Sequence, residues 1–196
     1  MNALISLVLV FWMHGAMAAD DAPKRVGFGI ESTDGASLGG SFDPGSAATW
    51  KFQRTRSGID LSQQGPGTED SQQIEAYLFR VDEPFQTSEK YIALMKRNIT
   101  QGMAQNPYWR VLAIEIEPEA NKPRCARGHI VLRDKSSAAD ADARFSEQYL
   151  LSCALDKREP FGIEVRYYNR FKGIERDPGF TALATKLIDS VEISDR

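Results

Sequence analysis

The chain has few of the residues that build metal sites and covalent catalytic centres. Only two histidines and two cysteines occur among its 196 residues. One histidine, His14, falls in an N-terminal stretch that we expect to be removed, and His129 alone cannot build a typical zinc site. No serine is recognisably paired with His129 for nucleophilic catalysis. We therefore predict no metal, no cofactor and no assignable catalytic residue.

An excess of positive charge is also absent. The sequence has 24 lysine and arginine residues against 27 aspartate and glutamate residues, which gives a formal net charge of −3 at pH 7. Proteins that bind nucleic acid carry a basic patch or stripe, and no basic run occurs in this chain. The charge balance argues against nucleic acid as a partner, and a hydrophobic content of 42% indicates an ordinary globular domain.

Long hydrophobic runs are missing except at the N-terminus. Residues 3–12 form an apolar run with the length of a signal-peptide core, which is too short to span a bilayer. Ala16-Met17-Ala18 fits the small-x-small cleavage pattern, although no lysine or arginine precedes the run. No cysteine lies near the cleavage point, so we expect no lipoprotein anchor. The sequence predicts a periplasmic protein, exported with cleavage near Ala18 and left without a stable membrane anchor.

The chain divides by composition into three parts. Residues 1–18 are the predicted signal peptide, residues 19–47 a glycine-rich flexible arm, and residues 48–196 a single α+β domain. The arm contains a strong turn signal at Asp43-Pro44-Gly45. One edge strand near residues 25–30 is the only regular element that we expect in it.

Three runs of alternating apolar and polar residues predict an antiparallel meander, at residues 111–117, 125–133 and 148–155. If the second hairpin folds about Ala139, Cys125 faces Cys153 and His129 faces Tyr149. Directly opposed residues lie within disulfide reach, and export favours oxidation. We predict a disulfide between Cys125 and Cys153, with two free buried cysteines as the alternative.

The first hairpin determines which side chains are expected in the core. Folding it about Asn121 places Glu115 opposite Arg127 and Ala113 opposite His129. Under both pairings one face collects the aliphatic residues Leu112, Ile114, Ile116, Ala126, Ile130, Leu132 and Leu150. A slip of one residue would scatter this face, so burial favours the pairing, while a shift of two residues in either hairpin is left open.

Two helices are predicted beside the strands. Thr87 can cap the first helix, whose apolar stripe consists of Ile92, Met95, Ile99 and Met103. The second helix starts after Asp177-Pro178, and its predicted buried face consists of Phe180, Leu183, Ala184, Leu187 and Ile188.

The element order is two strands, a helix, several antiparallel strands and a C-terminal helix, with an aromatic–x–x–Leu…Ile-Asp-Ser pattern between Phe180 and Ser190. In these respects residues 50–193 resemble the PsbP-like superfamily, which includes the photosystem extrinsic subunit and exported bacterial proteins of the DcrB type. The resemblance implies an α/β/α sandwich, no shared catalytic residues, and binding or accessory roles. We predict an α+β fold in which an antiparallel sheet is flanked by two main helices.

Two groups of residues are candidates for binding. On the meander face opposite the aliphatic core, His129 is the best candidate for proton chemistry or ligand contact. Its expected neighbours there are Glu115, Arg127 and Tyr149. The alternative for this group is a hydrogen-bonded histidine or a solvated cross-strand pair.

The second group lies on the strand predicted at residues 161–171. Arg166, Tyr168 and Arg170 alternate along one side of it and are expected to be exposed. Arginine and tyrosine are enriched at protein interfaces, so this strip is a candidate contact surface.

Three functional hypotheses follow. The first is a non-enzymatic exported protein that binds a partner protein in the cell envelope, in an accessory or immunity-type role. The second is a periplasmic carrier of a small ligand or lipid, with a pocket between the helix at residues 87–105 and the sheet. The third is a hydrolase centred on His129.

Overall fold

A computed structural model describes residues 25–31, 37–45, 49–65, 70–81, 87–122, 124–136, 142–155, 161–173 and 177–195. These residues form ten strands and two helices. The elements are β1 (Val26–Glu31), β2 (Ser37–Phe42), β3 (Lys51–Arg54), β4 (Gly58–Gln64), β5 (Ser71–Arg80), α1 (Ser88–Ala104), β6 (Trp109–Pro118), β7 (Cys125–Asp134), β8 (Arg144–Ala154), β9 (Phe161–Lys172), α2 (Phe180–Asp189) and β10 (Glu192–Asp195).

The larger sheet has seven strands in the order β3-β4-β5-β9-β8-β7-β6, and all neighbours are antiparallel. Two meanders build it. The chain leaves β5 in the middle of the sheet, passes through α1, and enters β6 at the far edge. Strands β7, β8 and β9 then return to the middle, where β9 pairs with β5. This crossing places α1 over one face of the sheet.

Both faces of the sheet carry a hydrophobic core, because successive side chains of a strand point in opposite directions. Leu150 on β8 faces α1 and belongs to the same core as Met95, whereas its neighbour Leu151 faces α2 and belongs to the same core as Phe180. The α1-side core contains Val81, Tyr91, Met95, Ile116, Ala126, Ile130, Leu132, Leu150 and Ala154. The α2-side core is larger and also takes side chains from the smaller sheet.

The smaller sheet has the order β1-β2-β10 and lies on the α2 side. Phe42 is fully buried in the α2-side core, and Arg25 donates through Nη2 to the carbonyl oxygen of Ser190 at 2.7 Å. Gly29 and Gly39 face each other with φ of 138° and 158°, and a Cβ at either position would lie within 2.2 Å of a backbone oxygen. Residues 25–31 and 37–45, expected within the flexible arm, therefore contain two paired strands, for which glycines permit the close approach.

The predicted fold class is wrong. The described residues are mostly β, with 56% in strands and 20% in helices, and they form two sheets instead of the single sheet flanked by two main helices of an α/β/α sandwich. The difference arises at the ends of the chain, because β1 and β2 come from the glycine-rich segment and pair with the C-terminal β10.

The second predicted hairpin and its disulfide are confirmed. Cys125 faces Cys153 and His129 faces Tyr149 across β7 and β8, and the two cysteines are bonded with a Cα separation of 4.0 Å. The chain described here contains no free cysteine.

The register of the first predicted hairpin is wrong by two residues. Glu115 pairs with His129, and Glu117 pairs with Arg127. The turn before β7 places Arg124 in the left-handed region with φ of 66°, which makes the connection asymmetric. A bulge between residues 111 and 113 also turns Leu112 outward, so that it is 48% exposed and leaves the predicted core face.

The predicted helices are present at the expected positions. Thr87 accepts a hydrogen bond from the backbone of Lys90, and the stripe around Met95 packs on the sheet. In α2 the expected apolar face is buried except for Leu183, which is 51% exposed. Neither helix in the described ranges combines the length and hydrophobicity that a membrane crossing requires.

Candidate functional site

The candidate binding residues lie on opposite faces of the larger sheet. The α2 side carries Glu115, Arg127, His129 and Tyr149, and the α1 side carries Arg166, Tyr168 and Arg170. The two groups therefore cannot form one site, and each is described separately.

His129 lies between two carboxylates on the α2 side. Its Nε2 atom is 2.8 Å from Oε1 of Glu147, and its Nδ1 atom is 3.5 Å from Oε2 of Glu115. The hydrogen bond to the buried Glu147 carboxylate raises the pKa of His129 above its ordinary value, against the opposing effect of partial burial. The imidazole ring stacks on Tyr149 with a centroid distance of 4.5 Å.

These residues attach α2 to the sheet. The Tyr149 hydroxyl donates to Oγ1 of Thr181 at 3.1 Å, near the start of the helix. At its end, Arg127 donates to Asp189 at 2.5 Å and also pairs with Glu119. Both ring nitrogens of His129 face carboxylates, so this arrangement does not present a histidine that could activate a hydroxyl nucleophile.

The pattern Gly35-Ala36-Ser37-Leu38-Gly39 matches Gly-x-Ser-x-Gly. In a nucleophile elbow the serine stands at a sharp turn from a strand into a helix. Here Ser37 begins β2 of the smaller antiparallel sheet, so the pattern lacks that structural context.

On the α1 side, β9 presents a row of alternating polar residues. Glu164 accepts hydrogen bonds from the Tyr77 hydroxyl at 2.5 Å and from Nη2 of Arg166. The Tyr168 hydroxyl donates to Glu75 at 2.5 Å, and Tyr168 is only 8% exposed. The predicted exposed strip is thus mostly covered, and only Arg170 is exposed.

A cavity of about 400 Å³ opens between α1 and this row. Its apolar wall comes from the C-terminal end of β5 and from one side of α1, and its polar wall comes from β5, β8 and β9. The lining residues are Tyr77, Phe79, Arg80, Val81, Tyr91, Leu94, Met95, Arg97, Asn98, Ile99, Ser152, Glu164 and Arg166.

The described residues of this lining include three arginines and one glutamate, so their formal charge is positive. The guanidinium of Arg166 is paired through Nη2, but its Nε–H is buried and donates to no atom in the described part of the chain. Burial disfavours its charge, yet the Glu164 carboxylate outweighs that effect and raises the pKa of Arg166, which stays protonated. A buried donor without an acceptor carries a desolvation cost.

Two tyrosines contribute hydroxyl groups to the polar wall of the cavity. Tyr91 on α1 shares a hydrogen bond of 2.7 Å with Ser152 on β8. Burial raises the pKa of both Tyr77 and Tyr91 far above the usual value, so both hydroxyls stay protonated at physiological pH. Hydroxyls of this kind orient a polar group without adding negative charge.

Sequence reasoning identified the helix beside this cavity and Arg166, but it missed Tyr77, Tyr91 and Glu164. The available signal was the alternation of Glu164, Arg166 and Tyr168 along one strand. The pairing of β5 with β9, which brings Tyr77 beside Glu164, joins residues that are distant in sequence.

Among the ranges given above, no three metal-ligating side chains are grouped so that they could hold a metal ion. No protein-family model matches the chain, and no curated protein matches it.

Proposed function

We propose that this chain is a non-enzymatic, exported binding protein that holds a small amphipathic ligand with an anionic head in the cavity between α1 and the larger sheet. The observation that carries the proposal is the charge of the described lining, where Arg80, Arg97 and Arg166 stand against the single carboxylate of Glu164. A ligand carboxylate is attracted to this positive charge.

The size and lining of the cavity support this proposal. A volume of about 400 Å³ lies within the range of small-molecule sites, which are mostly apolar with a few converging polar groups. Leu94, Met95 and Ile99 offer an apolar wall from α1. The hydrocarbon part of the ligand packs on that wall, while its charged head faces the arginines.

Export is part of the same proposal. Residues 1–24 lie outside the described residues, so the support for a signal peptide is the sequence pattern ending at Ala18. The disulfide between Cys125 and Cys153 suits an oxidising compartment such as the periplasm.

Calorimetric titration with decanoate and its neutral analogue decanamide tests the proposal. We expect decanoate to bind about tenfold more tightly than decanamide, because charge-assisted hydrogen bonds to arginine are about twice as strong as neutral ones. Arg80→Glu, at an exposed position on the lining, weakens decanoate binding because it places a carboxylate beside the ligand head.

The matched control is Arg110→Glu, an equal charge change at an exposed position on the opposite face of the sheet. Decanoate affinity should be unchanged in this variant. Equal affinities for decanoate and decanamide in the wild type, with no loss in Arg80→Glu, would show that the cavity does not select an anion.

A second proposal is binding of a partner protein at the edge strand β3, which suits an accessory or immunity-type role. All four residues of β3 are exposed, and Phe52 is 52% exposed between Lys51 and Gln53. An exposed edge can accept an added strand, and the lysine favours an acidic segment.

Recovery of the partner protein from periplasmic extract tests this second proposal. The recovered amount should fall for Phe52→Glu and not for Tyr108→Glu. Equal recovery by the two variants would exclude β3 as the contact surface.

A further inference from the structure

A second cavity opens on the α1 side at the other end of β9. It has a volume of about 550 Å³ and is lined by Ser71, Trp109, Arg144, Arg170 and Phe171. Among the residues that the structure describes, this lining has two arginines and no carboxylate. It is therefore cationic, as is the cavity beside α1.

Strand β9 connects the two cavities. Arg166 lines the first cavity and Arg170 lines the second, and both side chains project from the same face because they are separated by an even number of residues. Four residues of extended strand place their Cα atoms about 13 Å apart, at roughly 3.3 Å per residue.

Tyr168 holds the two guanidinium groups in place. The Cζ atom of Arg166 lies 5.8 Å from the centroid of the Tyr168 ring, and the Cζ atom of Arg170 lies 5.5 Å from it. The ring itself is fixed by the hydrogen bond from its hydroxyl to Glu75. The spacing of the two positive charges is thus set by a buried aromatic ring, and cation–π attraction favours it.

We infer that the two cavities are the two ends of one site, and that its ligand is an elongated molecule of the long-chain dicarboxylate type with an anionic group at each end. This inference rests on the proposed function, because it uses the first cavity as the site of one carboxylate. The second carboxylate meets Arg170 and Arg144, and the hydrocarbon span packs on Ile99 from the first lining and on Trp109 from the second.

Calorimetry with decanoate and a series of dicarboxylates from adipate to tetradecanedioate tests the inference on the purified protein. We expect the best dicarboxylate to bind about tenfold more tightly than decanoate, since its second contact is made within the same complex. Affinity should be greatest at an intermediate length, because shorter chains cannot reach both arginines.

Arg170→Gln should bring the affinity of the best dicarboxylate down to the level of decanoate. Arg170 is exposed, so its replacement should leave folding intact, and Arg144→Gln provides a second exposed variant of the same cavity. Arg110→Gln, on the opposite face, should leave the preference for the dicarboxylate unchanged.

The outcomes separate this inference from the proposed function. Tight decanoate binding with no preference for any dicarboxylate, or a preference that survives Arg170→Gln, overturns the two-ended site and leaves the first cavity as a binding site. Absence of binding by every probe overturns both.

Discussion

Cys125 and Cys153 stand directly opposite each other on β7 and β8, with their Cα atoms 4.0 Å apart. The bond between them joins two interior strands of the larger sheet and closes a loop across 28 positions of sequence. Both residues are buried in the α2-side core, so the bond also fixes which side chains of β7 and β8 face α2.

Replacing both cysteines by alanine should lower the free energy of unfolding by about 3–4 kcal/mol, because a loop of this length gains conformational freedom in the unfolded chain. Urea unfolding of the double variant and of the oxidised wild type measures the difference. Reduced wild-type protein is the matched control and should approach the variant. A double variant as stable as the oxidised protein would contradict the assignment.

Leu112 and Ile116 should differ sharply in their sensitivity to mutation. Leu112→Ala should change the free energy of unfolding by no more than about 0.5 kcal/mol, because the bulge exposes this side chain. Ile116→Ala should cost about 2–4 kcal/mol, because Ile116 is 2% exposed in the α1-side core. Equal losses of stability in the two variants would contradict the bulge and indicate a regular register in which Leu112 is buried.

The pKa of His129 should lie above 6.5, its ordinary value, because its hydrogen bond to Glu147 favours the charged ring. An NMR titration of the His129 ring protons measures this pKa. Glu147→Gln should lower it, since the carboxylate is then absent. A midpoint at or below 6.5 in the wild type would contradict the arrangement.

The same shift makes stability depend on pH. Because the pKa is raised on folding, the stabilisation from charged His129 is fully present below about pH 6.5 and is lost as the pH rises through the raised value. The stability difference between wild type and His129→Gln should therefore be larger at about pH 6 than at about pH 9. A stability difference that grows with pH would contradict a raised pKa of His129.

The ion pair between Glu164 and Arg166 should show strong coupling. Arg166→Met alone should cost about 3–5 kcal/mol, because it leaves the nearly buried Glu164 carboxylate without its counter-charge. Adding Glu164→Gln should recover part of this loss. Urea unfolding of the two single variants and the double variant measures the coupling, and additive losses would show that the residues do not interact.

Local patterns in the sequence were sufficient for both helices and for most strands. The stripe around Met95 and the apolar face of α2 follow directly from helical spacing, and only Leu183 departs from it. The second hairpin could also be predicted from the sequence, because two cysteines at matching positions restrict its register.

Features that depend on irregular backbone could not be predicted from local sequence patterns. The bulge beside Leu112 and the left-handed residue Arg124 each change a register without any period in the sequence. The edge strand expected near residues 25–30 is confirmed as β1, but the glycines of β2 carry no side-chain pattern that would predict its pairing with β1 and with the C-terminal β10. The fold class was wrong for this reason.

The candidate cavity could be predicted from the sequence only in part. A pocket beside the first helix was one of three hypotheses, but its polar wall requires β5 to pair with β9. That pairing joins strands separated by α1 and three further strands. Tyr77 and Glu164 carry no local pattern that would place them together.

Native mass spectrometry of the protein purified from its own host tests the central claim most directly. We predict that the wild type carries a bound small molecule and that Leu94→Trp, which fills the cavity beside α1, does not. Leu183→Trp, the same change at an exposed position on α2, should retain the bound mass, and far-ultraviolet circular dichroism should confirm that both variants are folded. A wild-type spectrum without any bound mass, or the same mass retained by folded Leu94→Trp, would contradict the claim that this cavity is the ligand site.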